Sequence, residues 1–220
     1  MTRSSFSPNG SQTPTTVRTL LICGAVAGPV FLTVSLIEMV LRPGFSIMNH
    51  AISMLSLGGL GWIQITNFLV AGLLFVLCAI GLREALKGDR AGTWGPILIC
   101  IVGLGFVAAG VFPPDPSQGF PPGTAEPSAR SYHAIVHGVA FMSLFSSLIA
   151  ACFVFASRFA SVGSRVWRAY SVLIGVTTPL LIALGMGNVV ATGIAFYGVS
   201  VIALTWVSAT ALHVMKGDTI

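Results

Sequence analysis

The 220 residues are 55% hydrophobic and only 8% charged, with a mean hydropathy of +0.91. A soluble domain keeps about a quarter of its residues charged to hold its surface in water. Seventeen charged side chains, 11 basic and 6 acidic, therefore exclude a soluble enzyme and a disordered chain. The net charge of +5 does not indicate nucleic acid, because the basic residues sit in short loops between apolar runs and are not interleaved with aromatics. The expected partners are membrane lipids, not nucleic acid.

Residues 1–18 are rich in Ser, Thr, Pro, Asn and Gly and read as a disordered polar tail. The apolar run that follows is too long for a signal-peptide core and lacks a clear cleavage site, so it reads as a retained first helix. The spacing predicts a transmembrane domain over 19–215, with spans at 19–40, 60–82, 94–112, 132–157, 169–187 and 190–214, and a short tail at 216–220. Each run approaches the roughly 20 residues needed to cross about 30 Å of hydrocarbon. Continuous apolar runs of this length are helices, because the backbone has no other hydrogen-bond partner there. The expected fold class is all-α: a six-helix transmembrane bundle.

Basic residues set the orientation. With a cytoplasmic N-terminus, nine lie inside (Arg3, Arg18, Arg83, Lys87, Arg90, Arg158, Arg165, Arg168 and Lys216) and two outside (Arg42 and Arg130). Both termini are then cytoplasmic, and the plasma membrane is the expected location. Trp62 and Tyr132 fall at outer helix ends, and Trp94, Trp167 and Tyr170 at inner ends, as an aromatic belt requires. Gly185 to Asn188 is the expected turn between the last two helices.

Two outer loops stand out. Residues 42–59 are too short to span and too apolar for water, which fits a short helix at the interface or dipping into the bundle. Residues 113–131 hold six of the twelve prolines and read as an external loop. Gly24 and Gly28 form a GxxxG read as packing within the chain. Cys23, Cys78, Cys100 and Cys152 lie in apolar runs and are expected to be free.

Ionisable groups within a membrane are costly, so their positions carry information. Glu38, His50, Asp115, His133 and His137 all fall in the outer third, from four segments of the chain. His133 and His137 are four apart, on one helix face. Two such histidines with carboxylates form a feasible zinc set. A hydrogen-bonded polar cap and a metal-free proton or substrate relay are the other readings of the same cluster. Arg42 follows Glu38 at i+4 and is placed to pair with it. Asn67 and Asn188 read as groups that bridge helices, and His213 as an interfacial or solvated residue.

Arg42-Pro-Gly-Phe, His50-Ala-Ile-Ser53 with Leu55, Asn67-Phe68, Gly72-Leu-Leu, Gly110-Val-Phe-Pro-Pro-Asp115, and His133 with His137 resemble the prokaryotic membrane proteins catalogued as domain of unknown function 998. The resemblance covers roughly residues 18–212. It implies six membrane helices and no established reaction. The leading expectation is an outward-facing polar pocket that binds or senses a lipid or small molecule. The alternatives are a metal-dependent hydrolase acting on a lipid-like substrate and a small-solute or proton-coupled transporter. The transporter is disfavoured because helices two and three lack mid-membrane charges and no inverted repeat is visible.

Overall fold

A computed structural model describes residues 14–88 and 90–217. Six helices long and apolar enough to cross a membrane are present among them: α1 (Thr15–Leu41), α2 (Gly61–Ala85), α3 (Arg90–Val111), α4 (Tyr132–Ser161), α5 (Arg165–Met186) and α6 (Thr192–Met215). The protein is a multi-pass, all-α membrane protein. The helices outrun the apolar runs mainly where charges begin. α2 continues through Arg83 and Glu84, α4 through Arg158 to Ser161, and α3 and α5 start on Arg90 and Arg165. Long side chains carry their charges to the interface while the backbone stays helical, so the first charge does not mark the helix end. α1 begins inside the expected 1–18 tail, of which residues 1–13 lie outside the described residues, as do 218–220 of the C-terminal tail.

Each helix packs against its neighbours in the chain, and α6 returns to α1, so the six close into a ring in sequence order. Neighbours joined by short connections run antiparallel. The start of α1 and the end of α6 then lie at one end of the bundle, here the termini end. The loops 42–60, 112–131 and 187–191 lie at the other, the loop end.

Small residues permit the close approaches. A Cβ on Gly72 would sit 2.7 Å from the Gly103 carbonyl oxygen, and a Cβ on Gly103 would sit 2.7 Å from that of Gly72, so α2 and α3 meet backbone to backbone. Gly28 of the GxxxG packs against Leu204 and Ser208 of α6, within the chain. The four cysteines are free.

Toward the termini end the ring is filled by Phe75, Leu82, Phe155 and Trp206. The Trp206 indole donates to Ser171 Oγ at 3.0 Å, which satisfies its one polar atom. His213, expected to be interfacial or solvated, is not solvated. It is buried and stacked on Trp167 with ring centroids 4.1 Å apart, and Phe159 meets it edge-on. An imidazole face packs well on an indole, and that contact draws it into the bundle. Asn188 is exposed in the α5–α6 turn at φ 54°, where Oδ1 accepts from Thr192 Oγ1 at 3.2 Å. It shapes the turn.

Candidate functional site

The apolar 42–60 loop folds inward. Residues Ile52–Ser56 form a 3₁₀ turn against α1, α2 and α6, and Ile52, Met54 and Leu55 are buried. Arg42, just past the end of α1, anchors this loop. Nη1 donates to Glu38 Oε1 at 3.0 Å, Nη2 donates to the Leu57 carbonyl, and the guanidinium lies 5.9 Å from the Phe120 ring centroid. The expected i,i+4 pair is therefore present, and both partners are buried.

His50 ties the two long loops together. Its Nδ1 accepts from the Ser46 amide at 2.9 Å, which places the proton on Nε2, and Nε2 donates to the Gln118 carbonyl at 3.0 Å. Phe45, His50 and the buried Phe120 pack around one another with centroids 5.2 to 5.4 Å apart. The start of α6 closes the third side, where the Gly193 amide donates to the Met48 carbonyl at 3.2 Å. Both loops thus form a fixed cap on the loop end.

A second polar group gathers where α3 passes to α4. Ser131 caps α4 by accepting from the Ala134 amide at 3.1 Å, and its own amide donates to Asp115 Oδ2 at 2.8 Å. Hydrogen bonds from the Ser131 hydroxyl and amide hold the Asp115 carboxyl below the usual carboxylate range, with help from Arg130 and His133. His133 is exposed and edge-on to Phe112 at 5.5 Å, and His137 Nδ1 donates to the Phe112 carbonyl at 2.8 Å.

The single cluster expected from sequence is therefore two. At the α3–α4 junction Asp115 is held by Ser131 while His133 and His137 both contact Phe112, and Glu38 and His50 belong to the cap. Among the described residues no group of three or more His, Cys, Asp and Glu side chains is placed to hold a metal ion.

Between these groups lies a cavity of about 270 Å³. Its walls come from all six helices and from Ala51, Ile52 and Ser53 of the cap. One side carries Phe31, Phe68 and Phe106, with centroids 4.9 to 5.7 Å apart. The facing side carries Phe141, Phe145 and Phe196, with Phe141 at 4.8 and 5.5 Å from its two neighbours. The polar lining is limited to Ser53, His137 and Ser200. The space is thus aromatic where a polar pocket was expected, because Glu38, His50 and Asp115 are turned into loop contacts beside it.

Its near wall is held by polar side chains that bridge α1 and α2. Asn67 Nδ2 donates to the Phe31 carbonyl at 3.0 Å and to Gln64 Oε1 at 3.1 Å, and Ser35 and Gln64 are hydrogen-bonded to each other. Asn67 bridges helices as expected. Ser35 and Gln64 were not anticipated, since an isolated Ser or Gln in an apolar run has no distinguishing spacing. The wall on α4 did carry a signal, because His137, Phe141 and Phe145 recur every four residues on one face.

The family model described as "Protein of unknown function (DUF998)" matches residues 25–213. The chain belongs to that family. The DUF998 match runs from within α1 to the last turn of α6, so the cap, the polar bridge and the aromatic cavity all lie inside it. No curated protein and no solved structure shows a significant match to this DUF998 chain.

Proposed function

We propose that this DUF998 protein binds a membrane lipid, taking one apolar chain into the loop-end cavity. The observation that carries the reading is an aromatic cavity of about 270 Å³ built from all six helices. An apolar cavity of about 150 Å³ already stays dry and accepts benzene. A larger one with a nearly apolar wall favours a hydrocarbon occupant over water. Ser53, His137 and Ser200 supply the few polar groups a carbonyl or hydroxyl of the lipid would meet. Glu38, Arg42, His50 and Asp115 support binding as the role, because each is engaged by a neighbour in the cap or at the α3–α4 junction.

The distribution of basic residues supports placing the loop end on the outer face of the plasma membrane. Arg83, Lys87, Arg90, Arg158, Arg165, Arg168 and Lys216 lie at the termini end, and Arg42 and Arg130 at the loop end. The lipid would then enter from the outer leaflet.

Gly138 gives the test. It lines the cavity, and a Cβ built there meets nothing within 4 Å, so Gly138→Phe adds a ring to the open space without a backbone clash. Native mass spectrometry after detergent exchange is expected to show lipid retained by the wild-type protein. Each methylene displaced from an apolar site costs about 0.8 kcal/mol, so loss of two lowers retention by about tenfold in Gly138→Phe. Equal lipid retention by a folded Gly138→Phe protein would refute the assignment.

A further inference from the structure

A residue that lines the loop-end cavity and is also exposed marks where that cavity meets the surroundings. Among the described lining residues only Gly138 of α4 and Met186 of α5 are exposed, Met186 at 63%. We infer that the cavity opens sideways into the membrane between α4 and α5, and that one acyl chain is taken through this mouth while the lipid's headgroup stays in the leaflet. The inference rests on the lipid-binding reading and specifies how the lipid is held.

The mouth arises because α5 changes neighbours along its length. Midway, a Cβ on Gly175 would sit 3.1 Å from Cys152 and Phe153, so α5 lies close on α4. Near its end, a Cβ on Gly185 would sit 2.7 Å from the Ala195 Cβ, so α5 there lies close on α6. Pro179 falls between the two contacts and has no N–H for the Gly175 carbonyl. α4 records the same change. It buries seven residues between Ser147 and Phe159, but only Ala140 and Leu144 between Tyr132 and Phe145.

The surroundings of the mouth are apolar. Val139 and Met142 on α4 and Leu180 on α5 are each more than half exposed, on helices long and apolar enough to span a membrane, so hydrocarbon is what they meet. The cap side is shut, since Ala51, Ile52 and Ser53 line the cavity and none is exposed. At about 270 Å³ the cavity is smaller than the roughly 300–1,000 Å³ of pockets that enclose a whole drug-sized ligand, so it takes only part of a lipid. No charged side chain lines it among the described residues, and an ionised headgroup would lose its hydration there without compensation. The shape of the chain, not the charge of the headgroup, is then what the site selects.

Photolabelling tests the route. The full chain is reconstituted in phosphatidylcholine vesicles with a trace of phosphatidylcholine or phosphatidylglycerol bearing a diazirine at the end of one acyl chain. Phe106 lines the cavity and is only 4% exposed, so a chain must be inside the cavity to label it. Both probes are expected to label Phe106 equally. In a cysteine-free background, Met186→Cys carrying a bulky maleimide should abolish that labelling, whereas the same reagent on Asn49→Cys, exposed in the cap, leaves it unchanged. The opposite pattern would place the entrance in the cap and overturn the inference, as would Phe106 labelling confined to one headgroup. Should the cysteine-free chain not fold, Met186→Trp in the otherwise unaltered chain narrows the same mouth and should lose most of the early labelling; an unchanged rate would overturn the inference. Labelling that survives every block leaves the lipid-binding reading standing and removes only the side entrance. Absence of Phe106 labelling with both probes would refute that reading and this inference together.

Discussion

Arg42 is the side chain on which the loop-end cap depends most. Arg42→Met removes the ion pair to Glu38, the hydrogen bond to the Leu57 carbonyl and the cation over Phe120 in one step, while keeping most of the side-chain volume. Glu38 and Arg42 are only 6% and 7% exposed, so the pair is screened by protein on all sides. Removing one member of a buried pair costs about 3–5 kcal/mol, chiefly because the other charge loses its compensation. Glu38→Gln is expected to cost a similar amount by leaving the guanidinium uncompensated, offset in part by the bond to Leu57. The double variant buries no charge and should cost little more than either single change. The coupling energy is then about 2–3 kcal/mol, at the upper end for contacting residues. Unfolding of the purified chain by sodium dodecyl sulfate in mixed micelles, followed by tryptophan fluorescence, gives the four stabilities of the cycle. Additivity within about 0.5 kcal/mol is the behaviour of independent sites, and observing it would refute the claim that the two charges compensate one another.

Three further outcomes are expected. Gly193→Val drives a Cβ into the Ile47 and His50 carbonyl oxygens, so α6 must move off the cap, at a cost of about 1–3 kcal/mol read from the same unfolding assay; an unchanged midpoint would show that the cap does not rest on α6. The Asp115 carboxyl titrates lower folded than unfolded, so its stabilisation of the α4 start is complete above about pH 4 and is lost as the pH falls through the lowered folded value. Hydrogen exchange at the Ser131 amide should follow that loss, and Asp115→Asn should remove the pH dependence. In a cysteine-free background, an impermeant thiol reagent applied to intact cells should label Ser128→Cys and not Lys87→Cys; the reverse pattern would invert the orientation proposed from the basic residues.

The six spans were legible because the bilayer imposes one length on every element that crosses it, and few soluble features imitate twenty apolar residues in a row. Helix ends such as Ala85 and Ser161 were not, since a helix loses its hydrocarbon before it loses its hydrogen bonds. Glu38 with Arg42 was readable as a local pair at helical spacing. The contact of His50 with Gln118 was not, because it joins residues 68 apart through a backbone carbonyl that has no sequence identity. Phe120 lies among prolines in an apparently external loop, yet it is 1% exposed, held by partners from the other loop. The aromatic cavity was hidden for a different reason. In a membrane protein phenylalanine serves equally against lipid and against neighbouring helices, so composition does not separate Phe106 or Phe196 from residues facing outward.

The closure of α6 on α1 has a consequence for how the molecule is made. The other main helix contacts of the ring join segments adjacent in the chain, apart from a smaller one between α2 and α6, but this seam joins the first helix to the last, through Gly28 against Leu204 and Ser208 Oγ donating to the Gly24 carbonyl at 3.4 Å. A growing chain can pair α1 with α2, then α3, α4 and α5, as each leaves the ribosome. It cannot complete the barrel-like wall until the final span arrives. Until then the small-residue face of α1 is presented to lipid, and the chamber lacks Phe196 and Ser200. Whatever occupies that chamber is thus sealed in at the last step of biogenesis, or enters after it.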